Sequence, residues 1–576
     1  MSKILFAAHR DDPDPAAIEA RMRGILQEIT PDLIRDGTRY GVYHEDRRFL
    51  GTLNLAADCP RHGVDVCQGS LNEPADWRRI GSGAPDGSYA LIRGDSRCVE
   101  AIVDSSGMRS LWCYLDDRMF VVSNSQRAAT MYVGRFAFNR DVAPWLISTG
   151  SLGPDLSYNR HLRPLAPGAV ARLDRAAWSL SIATPEIRFT PAARSEAEHL
   201  DAAEAAISAT LAGLGSARAE TTVISLSGGC DSRLIANLLH KARPEIAWRS
   251  FSSGPAASPG TPGSDPAIAA EVARRFGFRH RFFVNDESDE PVETRLDRFL
   301  LCSEGRIDHF KAYAGGMSLF KTLFDEGFTE VVRGDQALGG PAIEANELSA
   351  RRSLNFLLCR EIEGLSGRLA EFGLDGQTLP DRFDRREDEN FVTWRDRLYA
   401  EFYCPNVLGA LNETKTAFFD VREPLMSARV QAMARTLPET LLRGKRIGKL
   451  LVQRTGPDLP IAKDSGLAKM PDLLRNPAVA RALRASLASE TASACFSPAL
   501  IRWIQHEVAV EGNGLAKAWR AAGAVARRLT TPGAARLKIG PRRLAFRVHM
   551  AVAMVDRLTG DAARFGPHAI SSTKAA

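Results

Sequence analysis

The 576-residue sequence lacks several features that would fix its class at once. Its nine cysteines are dispersed, odd in number and without a C-x-x-C pair, which argues against a disulfide framework or a zinc site. No charge-free apolar run reaches the ~18 residues needed to cross a bilayer. The apolar piece at residues 4–8 is shorter than the hydrophobic region of a signal peptide. We therefore expect a cytoplasmic protein with reduced thiols and no membrane partner.

An excess of one charge sign is also missing. The chain has 75 Lys and Arg residues against 69 Asp and Glu, and a net charge of +6 at this length does not by itself indicate a nucleic-acid partner. Hydrophobic residues at 44% and charged residues at 25% are ordinary for a folded globular protein. The mass of 62.9 kDa exceeds what one hydrophobic core supports, so we expect two to four domains.

The first part of the chain reads as short strands separated by turn residues, which predicts a layered β-rich domain. Apolar periodicity is then lost at residues 185–196, which we interpret as a linker. The predicted strands are residues 3–7, 40–43, 88–92, 99–103, 110–115 and 119–123.

After the linker, strands alternate with helices, which is typical of a parallel doubly wound sheet. Beyond residue 344 the periodicity is mostly helical and predicts a helical layer on that sheet. The fold class is thus α/β, with predicted domains 1–190, 195–480 and 481–576. The predicted strands of the sheet are residues 221–226, 246–252, 282–284 and 329–332.

The most informative residues are 227–232 (Ser-Gly-Gly-Cys-Asp-Ser), between a β-branched strand and an amphipathic helix. Glycines permit a tight turn there, and free amides at the start of the helix favour an anion. Asp231 would repel a phosphate unless a cation such as Mg2+ lay between them. The segment fits neither G-x-x-x-x-G-K-[ST] nor G-x-G-x-x-G. It resembles the SGGxDS signature of the pyrophosphate-loop ATPases, which cleave ATP between the α and β phosphates.

Further segments resemble the asparagine synthetase family. Residues 265–280, 328–340, 424–438 and 444–454 are similar to segments of its synthetase domain, in the same order. Three segments in the first half resemble the glutaminase domain that precedes it, namely residues 85–90, 104–114 and 121–128.

The resemblance implies roles for individual residues, with ATP and Mg2+ as cofactors. Asp231 and Asp335 would hold the Mg2+ that neutralises the leaving pyrophosphate, and Gly334 would belong to the same nucleotide site. Lys449 matches a lysine near the α-phosphate, with Lys445 as the competing choice. Ser250 falls where the family contacts adenine, mostly through backbone. The residues that would hold the ATP phosphates are Ser227, Gly228, Gly229, Asp231 and Ser232.

The sequence departs from the family pattern in the glutaminase part. That activity needs a cysteine immediately after the initiator methionine, whereas this chain has Ser2 there and its first cysteine is Cys59. We expect glutamine hydrolysis to be absent, although a serine at the amino terminus is the nucleophile of other amine-activated hydrolases. The acidic loop also departs, because Val332 and Gln336 occupy two acidic positions. The loss of the earlier acid, at Val332, resembles the branch of β-lactam synthetases and lasso-peptide cyclases, which also lack the nucleophilic cysteine.

The resulting hypothesis is an ATP-dependent, AMP-forming ligase that adenylates a carboxylate and transfers it to an amine. The finer hypothesis is a peptide or natural-product cyclisation of the lasso-macrolactam type. Its partners would be a carboxylate substrate such as a precursor peptide, and a protease or leader-binding protein. Two alternatives remain open: an asparagine synthase supplied with ammonia, and a non-catalytic adaptor with a synthetase fold.

Two further features have open roles. Glu361 and Glu363 are candidate general bases, and the alternative is a solvated helix face. A stretch without acidic residues near the carboxyl terminus predicts a binding surface for an acidic leader peptide, a partner protein or nucleic acid. The alternative is an exposed basic helix without a ligand. The basic residues of this stretch are Lys517, Arg520, Arg527, Arg528, Arg536, Lys538, Arg542, Arg543 and Arg547.

Overall fold

A computed structural model describes residues 3–56, 58–73, 76–285, 288–335, 338–462, 470–511 and 537–566. Within these ranges no helix has both the length and the apolar character that a bilayer span requires. All nine cysteines lie in the described ranges, and each is a free thiol.

The first part contains two six-stranded antiparallel sheets, with orders β10-β8-β9-β1-β3-β2 and β12-β11-β7-β6-β5-β4. The strands are β1 (Lys3–His9), β2 (Tyr40–Glu45), β3 (Arg48–Leu53), β4 (Arg61–His62), β5 (Asp65–Leu71), β6 (Gly87–Gly94), β7 (Cys98–Val103), β8 (Trp112–Leu115), β9 (Met119–Ser123), β10 (Arg163–Pro164), β11 (Val170–Asp174) and β12 (Ser179–Ala183). The six predicted strands are all present, with ends shifted by a few residues. The glycine-containing strands β3 and β5 were not predicted, because Gly51 and Gly69 interrupt their apolar pattern.

Strand β1 shows why the sheets form layers. Its side chains alternate between faces, so Ile4 and Phe6 lie in the core between the two sheets. Leu5 and Ala7 lie in a second core on the other face, beneath helices. Those helices are α1 (Pro15–Glu28) and α2 (Gln126–Val133), and α3 (Val142–Thr149) follows.

The second part is built on a five-stranded parallel sheet with the order β15-β14-β13-β16-β17. The strands are β13 (Thr222–Ser225), β14 (Arg249–Gly254), β15 (Arg279–Val284), β16 (Glu330–Arg333) and β17 (Asp420–Arg422). The predicted α/β class and parallel sheet are confirmed. Strand β17 was not predicted, since three residues inside a stretch of helical periodicity carry no strand signal.

Helices cover both faces of this sheet, because its strands are apolar on both sides. Val223 packs into one core and its neighbour Ile224 into the other. The helices are α4 (Glu196–Leu211), α5 (Ser216–Ala219), α6 (Cys230–Ala242), α7 (Asp265–Phe276), α8 (Val292–Ser303), α9 (Ser318–Asp325), α10 (Glu347–Arg352), α11 (Leu369–Phe372), α12 (Phe391–Leu398), α13 (Gly409–Glu413), α14 (Ala428–Ala434), α15 (Glu439–Leu442), α16 (Arg446–Thr455), α17 (Met470–Leu473), α18 (Pro477–Leu487), α19 (Glu490–Cys495), α20 (Pro498–Glu511) and α21 (Pro541–Phe565). A π-helical segment, Tyr399–Leu408, joins α12 to α13.

Residues 184–195 form neither helix nor strand and connect the two parts. The long helix α21 packs against α2 and α3 of the first part and against α18 and α20 of the second. The division into domains 1–190, 195–480 and 481–576 stays a prediction.

The interpretation of α21 as part of a free basic surface was wrong for two residues. Arg543 and Arg547 both bind Asp308, which is completely buried, and the Nε of Arg547 lies 2.7 Å from its Oδ2. Burial alone would raise the pKa of Asp308, but the two guanidinium groups hold it well below its ordinary value. These charges therefore dock the helix, because a buried carboxylate needs a cationic partner. Five residues of the predicted stretch lie outside the described residues: Lys517, Arg520, Arg527, Arg528 and Arg536.

Candidate functional site

The predicted phosphate loop connects β13 to α6 at the carboxyl edge of the parallel sheet. Gly229 is the N-cap of α6 and has no side chain to bond the first-turn amides, so the helix start is open to an anion. The hydroxyls of Ser227 and Ser232 lie 2.7 Å apart and close the turn. A Cβ on Gly228 would lie 2.9 Å from the Cβ of Ala462, which shows why glycine is needed there. Ser227, Gly228, Gly229 and Ser232 thus form one compact turn.

Asp231 lies in the first turn of α6, and its partner is a lysine from a distant part of the sequence. The Nζ of Lys445 is 2.7 Å from Oδ2 of Asp231. Lys449 lies one turn further along α16, is exposed, and makes no ion pair with any described residue. Of the two lysines considered from the sequence, the structure therefore brings Lys445, the competing choice, into contact with the loop.

The acidic loop after β16 meets the phosphate loop directly. A Cβ on Gly334 would lie 2.4 Å from the backbone nitrogen of Ser232 and 2.5 Å from the carbonyl carbon of Asp231. Only a glycine permits this approach of two backbones. Gly334 thereby places the adjacent Asp335 beside the start of α6, so the two predicted metal carboxylates belong to touching loops.

Asp335 is buried and held from two sides. It accepts hydrogen bonds from Nη2 of Arg333 at 3.2 Å and from Nδ2 of Asn412 at 2.9 Å. Burial raises its pKa, but Arg333, Asn412 and Lys415 outweigh burial and keep the pKa below its ordinary value. Asp335 is thus maintained as a carboxylate, the form that binds a cation.

A buried polar network extends from Asp335 to the first part of the chain. Nδ2 of Asn412 also donates to Oε1 of Glu423 at 2.8 Å, and the Ser88 hydroxyl of β6 donates to Oε2 of Glu423 at 2.6 Å. Burial raises the pKa of Glu423 to about 7. The antiparallel sheets therefore support the acidic loop through one continuous set of hydrogen bonds.

A third carboxylate lies beside the phosphate loop. Oδ1 of Asp265, at the start of α7, accepts a hydrogen bond from the Gly228 amide at 3.1 Å. Burial raises the pKa of Asp265 to about 6. Sequence reasoning did not single out this residue or Asn412, Lys415 and Glu423. Asp265 begins a helix that follows a Gly/Pro/Ser-rich loop, and this position was the sequence signal available for it. Asn412, Lys415 and Glu423 belong to no motif.

Ser250 lies in β14, next to the strand that carries the loop. Its hydroxyl and that of Ser252 lie 3.0 Å from Nδ1 and Nε2 of His280, respectively. Burial lowers the pKa of His280 to about 4. The Ser250 side chain is therefore engaged within the sheet, and any contact with a nucleotide would come from the backbone, as the resemblance implies.

A cavity of about 260 Å³ opens at the same edge of the sheet. Ser225 and Ser253 border it near the ends of β13 and β14, and Arg333 borders it at the end of β16. Phe251, Tyr313, Phe320 and Lys415 also line it. Because Leu226 alone separates Ser225 from Ser227, the cavity adjoins the phosphate loop.

The two glutamates considered as general bases do not line this cavity. Glu361 binds Arg351 and accepts a hydrogen bond from the amide of Leu358 at 2.9 Å, so it is a structural residue. Glu363 is exposed. The general-base interpretation was wrong for Glu361, and so was its alternative of a solvated face.

The residues present fit a magnesium-bound polyphosphate. Asp231 and Asp335 offer hard oxygen ligands on touching loops, and Mg2+ completes its coordination with phosphate oxygens and water. Within the described ranges there is no group of three or more His, Cys, Asp or Glu side chains arranged to hold a metal by themselves.

Comparisons with known proteins give little beyond this geometry. No protein-family profile and no curated protein matches the chain. Among solved structures it is similar to the allosteric regulatory enzyme of purine biosynthesis, with 9% identity, a TM-score of 0.21, and coverage of 49% of this chain and 80% of that chain. A likeness at this level does not bear on the site.

Proposed function

We propose that this protein is an ATP- and Mg2+-dependent ligase of the asparagine synthetase type, which adenylates a carboxylate and joins it to an amine with release of AMP. The observation that carries the proposal is the contact of Gly334 with Asp231 and Ser232. That contact puts a glycine turn, an open helix start and two carboxylates in one place. These are the groups needed to hold a polyphosphate through a divalent cation.

Each residue has a role that follows from its position. The amides of the first turn of α6 and the hydroxyls of Ser227 and Ser232 would bind phosphate oxygens. Lys445 would stabilise the negative charge that develops on the α-phosphate, because its ammonium group already lies at the loop. Asp231 and Asp335 would hold Mg2+, which would supply positive charge for the leaving pyrophosphate.

We propose further that the amine does not come from glutamine hydrolysis. A cysteine nucleophile needs a lowered pKa, whereas burial raises the pKa of each of the nine thiols in this chain. Cys59, the first of them, has a pKa of about 12. The amine would then be a substrate group, as in closure of a peptide or natural-product ring of the lasso-macrolactam type.

The test is exchange of labelled pyrophosphate into ATP, run with MgCl2 and a panel of carboxylic acids and short peptides. We expect exchange that depends on the acid and that falls about 100-fold or more in Asp231→Asn and Asp335→Asn. Asp325→Asn is the matched control, because Asp325 is an exposed carboxylate paired with Lys321 on α9.

Two outcomes would replace the proposal. Stoichiometric asparagine and AMP from ATP, aspartate and ammonium would identify an asparagine synthase. Absence of exchange with every acid, together with absence of MgATP binding by calorimetry, would identify an adaptor.

A further inference from the structure

We infer that the cavity beside the phosphate loop is the acyl-donor site, that Arg333 binds the substrate carboxylate there, and that the acid carries a compact apolar body. The inference rests on the proposed function and specifies its substrate class. It concerns residues that neither the motifs nor the comparisons assign.

The position of the cavity is the first reason. Its rim is formed by the carboxyl ends of β13, β14 and β16, and ligands of open α/β sheets bind at that edge. The phosphate loop follows one of these strands and the acidic loop follows another. A carboxylate in this cavity is therefore adjacent to the groups that would hold the nucleotide phosphates.

The unused donors of Arg333 are the second reason. Among the described residues, its side chain makes one hydrogen bond, from Nη2 to Asp335. A guanidinium group has five N–H donors in a planar fork that matches a carboxylate. The side chain is 27% exposed and borders the cavity, so the remaining donors are accessible to a ligand.

The other cation of the cavity is already committed. Lys415 is buried, and its Nζ donates to the carbonyl oxygen of Leu411 at 2.7 Å and to Oδ1 of Asn412 at 3.1 Å. Those bonds tie it to the network around Asp335. Arg333 is thus the cation that remains available to an incoming anion.

The side chains that line the cavity determine which acyl group the substrate acid can carry. Phe251, Tyr313, Met317, Phe320 and Leu411 line the cavity, and burial of apolar surface against them would stabilise an apolar acyl group. Ser225, Ser253, Asn285, His309 and Ser318 also line the cavity, but Arg333 is the available cation among its described lining residues. The additional charged groups of aspartate would therefore lose hydration there without charged partners. The volume of about 260 Å³ lies just below the ~300–1,000 Å³ of pockets for drug-sized ligands, so the acyl group is about the size of one amino-acid residue.

The experiment measures acid-dependent pyrophosphate exchange with acetate, hexanoate, 3-phenylpropionate, N-acetyl-leucine, N-acetyl-phenylalanine, succinate and aspartate. We expect the apolar acids of residue size to give the highest kcat/KM, and aspartate and succinate to give the lowest. In Arg333→Gln, the KM for the acid should rise about 10- to 100-fold. The KM for ATP should rise less than the KM for the acid, and only because Arg333 also supports Asp335. Arg333→Lys should recover part of the loss.

A second variant tests the wall. Phe320→Ala enlarges the cavity, so the preference should shift at least threefold towards N-acetyl-phenylalanine over hexanoate. Lys321→Met is the control on the same helix, because Lys321 does not line the cavity and pairs with Asp325. Thermal melting of each variant checks that the fold is retained.

Each result has one meaning. Exchange in the wild-type protein with short peptides but with none of the seven acids would overturn this inference alone. No exchange with any acid or peptide would overturn the proposed function and this inference with it. Exchange that survives in Arg333→Gln with an unchanged KM for the acid would overturn only the inference. A rise in the KM for ATP instead of the acid would show that the cavity holds the nucleotide, and would likewise overturn the inference alone.

Discussion

The ammonium group of Lys445 lies 2.7 Å from a carboxylate oxygen of Asp231, although 213 residues separate them along the chain. The pair joins the start of α16 to the first turn of α6. Lys445 itself has a backbone φ of +57°, a left-handed conformation that a lysine rarely adopts. Tertiary structure therefore holds this lysine at the phosphate loop.

That pair leads to a prediction that separates the two lysines of this segment. Lys445→Met should lower kcat/KM for pyrophosphate exchange about 100- to 1,000-fold, because it removes a cation at the reacting phosphate. Lys449→Met should lower it less than tenfold, since Lys449 is exposed and further along α16. Steady-state exchange kinetics at saturating MgATP measure both. The reverse order would return the catalytic role to Lys449.

The contact of the two loops predicts a steric effect. In Gly334→Ala the new Cβ would lie 2.4 Å from the Ser232 nitrogen, so one of the loops must move. We expect a loss of about 1–3 kcal/mol in the free energy of unfolding, and weaker MgATP binding. Urea denaturation and calorimetry measure these quantities. Gly367→Ala is the control, because a Cβ at that glycine would meet nothing within 4 Å; an equal loss in both variants would contradict the steric explanation.

The docking of α21 depends on a buried charge cluster. Asp308→Ala leaves the guanidinium groups of Arg543 and Arg547 without their carboxylate, and we expect about 3–5 kcal/mol of destabilisation. Asp325→Ala removes an exposed pair and should cost less than about 1 kcal/mol. Urea midpoints compare the two. If Asp308→Ala unfolds like the wild-type protein, the cluster does not hold the helix.

His280 predicts a pH dependence of stability. Burial lowers its pKa to about 4, whereas an unfolded histidine titrates near ~6.5. The contribution of the neutral, buried His280 side chain to the free energy of unfolding is therefore fully present above pH ~6.5. It is lost as the pH falls towards 4, because the unfolded chain binds a proton at this histidine more tightly than the folded chain does. Over this pH range the free energy of unfolding of His280→Gln should fall less than that of the wild-type protein, by on the order of 2 kcal/mol.

The measurement for His280 is the free energy of unfolding at pH 7, 6, 5 and 4. His506→Gln is the matched variant, since His506 is exposed on α20. We expect its profile to follow that of the wild-type protein. A decline in His280→Gln as steep as in the wild-type protein would assign the acid sensitivity to other groups.

The local parts of the site were predictable from the sequence. Glycines followed by an amphipathic helix after a β-branched strand define the turn at residues 227–232, because the conformations involved are local. The paired glycines after β16 likewise located Asp335. The lysine was less well determined, since Lys445 and Lys449 lie one turn apart and only the packing of α16 on α6 decides which contacts Asp231.

The residues around Asp335 could not be found in this way. Asn412 and Glu423 belong to a stretch whose local pattern is helical and carries no motif, and their roles come from hydrogen bonds across the fold. For Arg543 and Arg547, the local sequence indicated the wrong environment. Their sequence context indicates an exposed basic surface, whereas in the structure both pair with the buried Asp308.

By itself, the sequence determined the α/β class, the strand-turn-helix at residue 227 and the two aspartates that follow parallel strands, because backbone preference and apolar period act over a few residues. Tertiary structure decided which side chains meet at the sheet edge: the lysine on Asp231, the support of Asp335 and the cavity beside Arg333. Those contacts join segments up to several hundred residues apart, and close packing rather than local preference selects them.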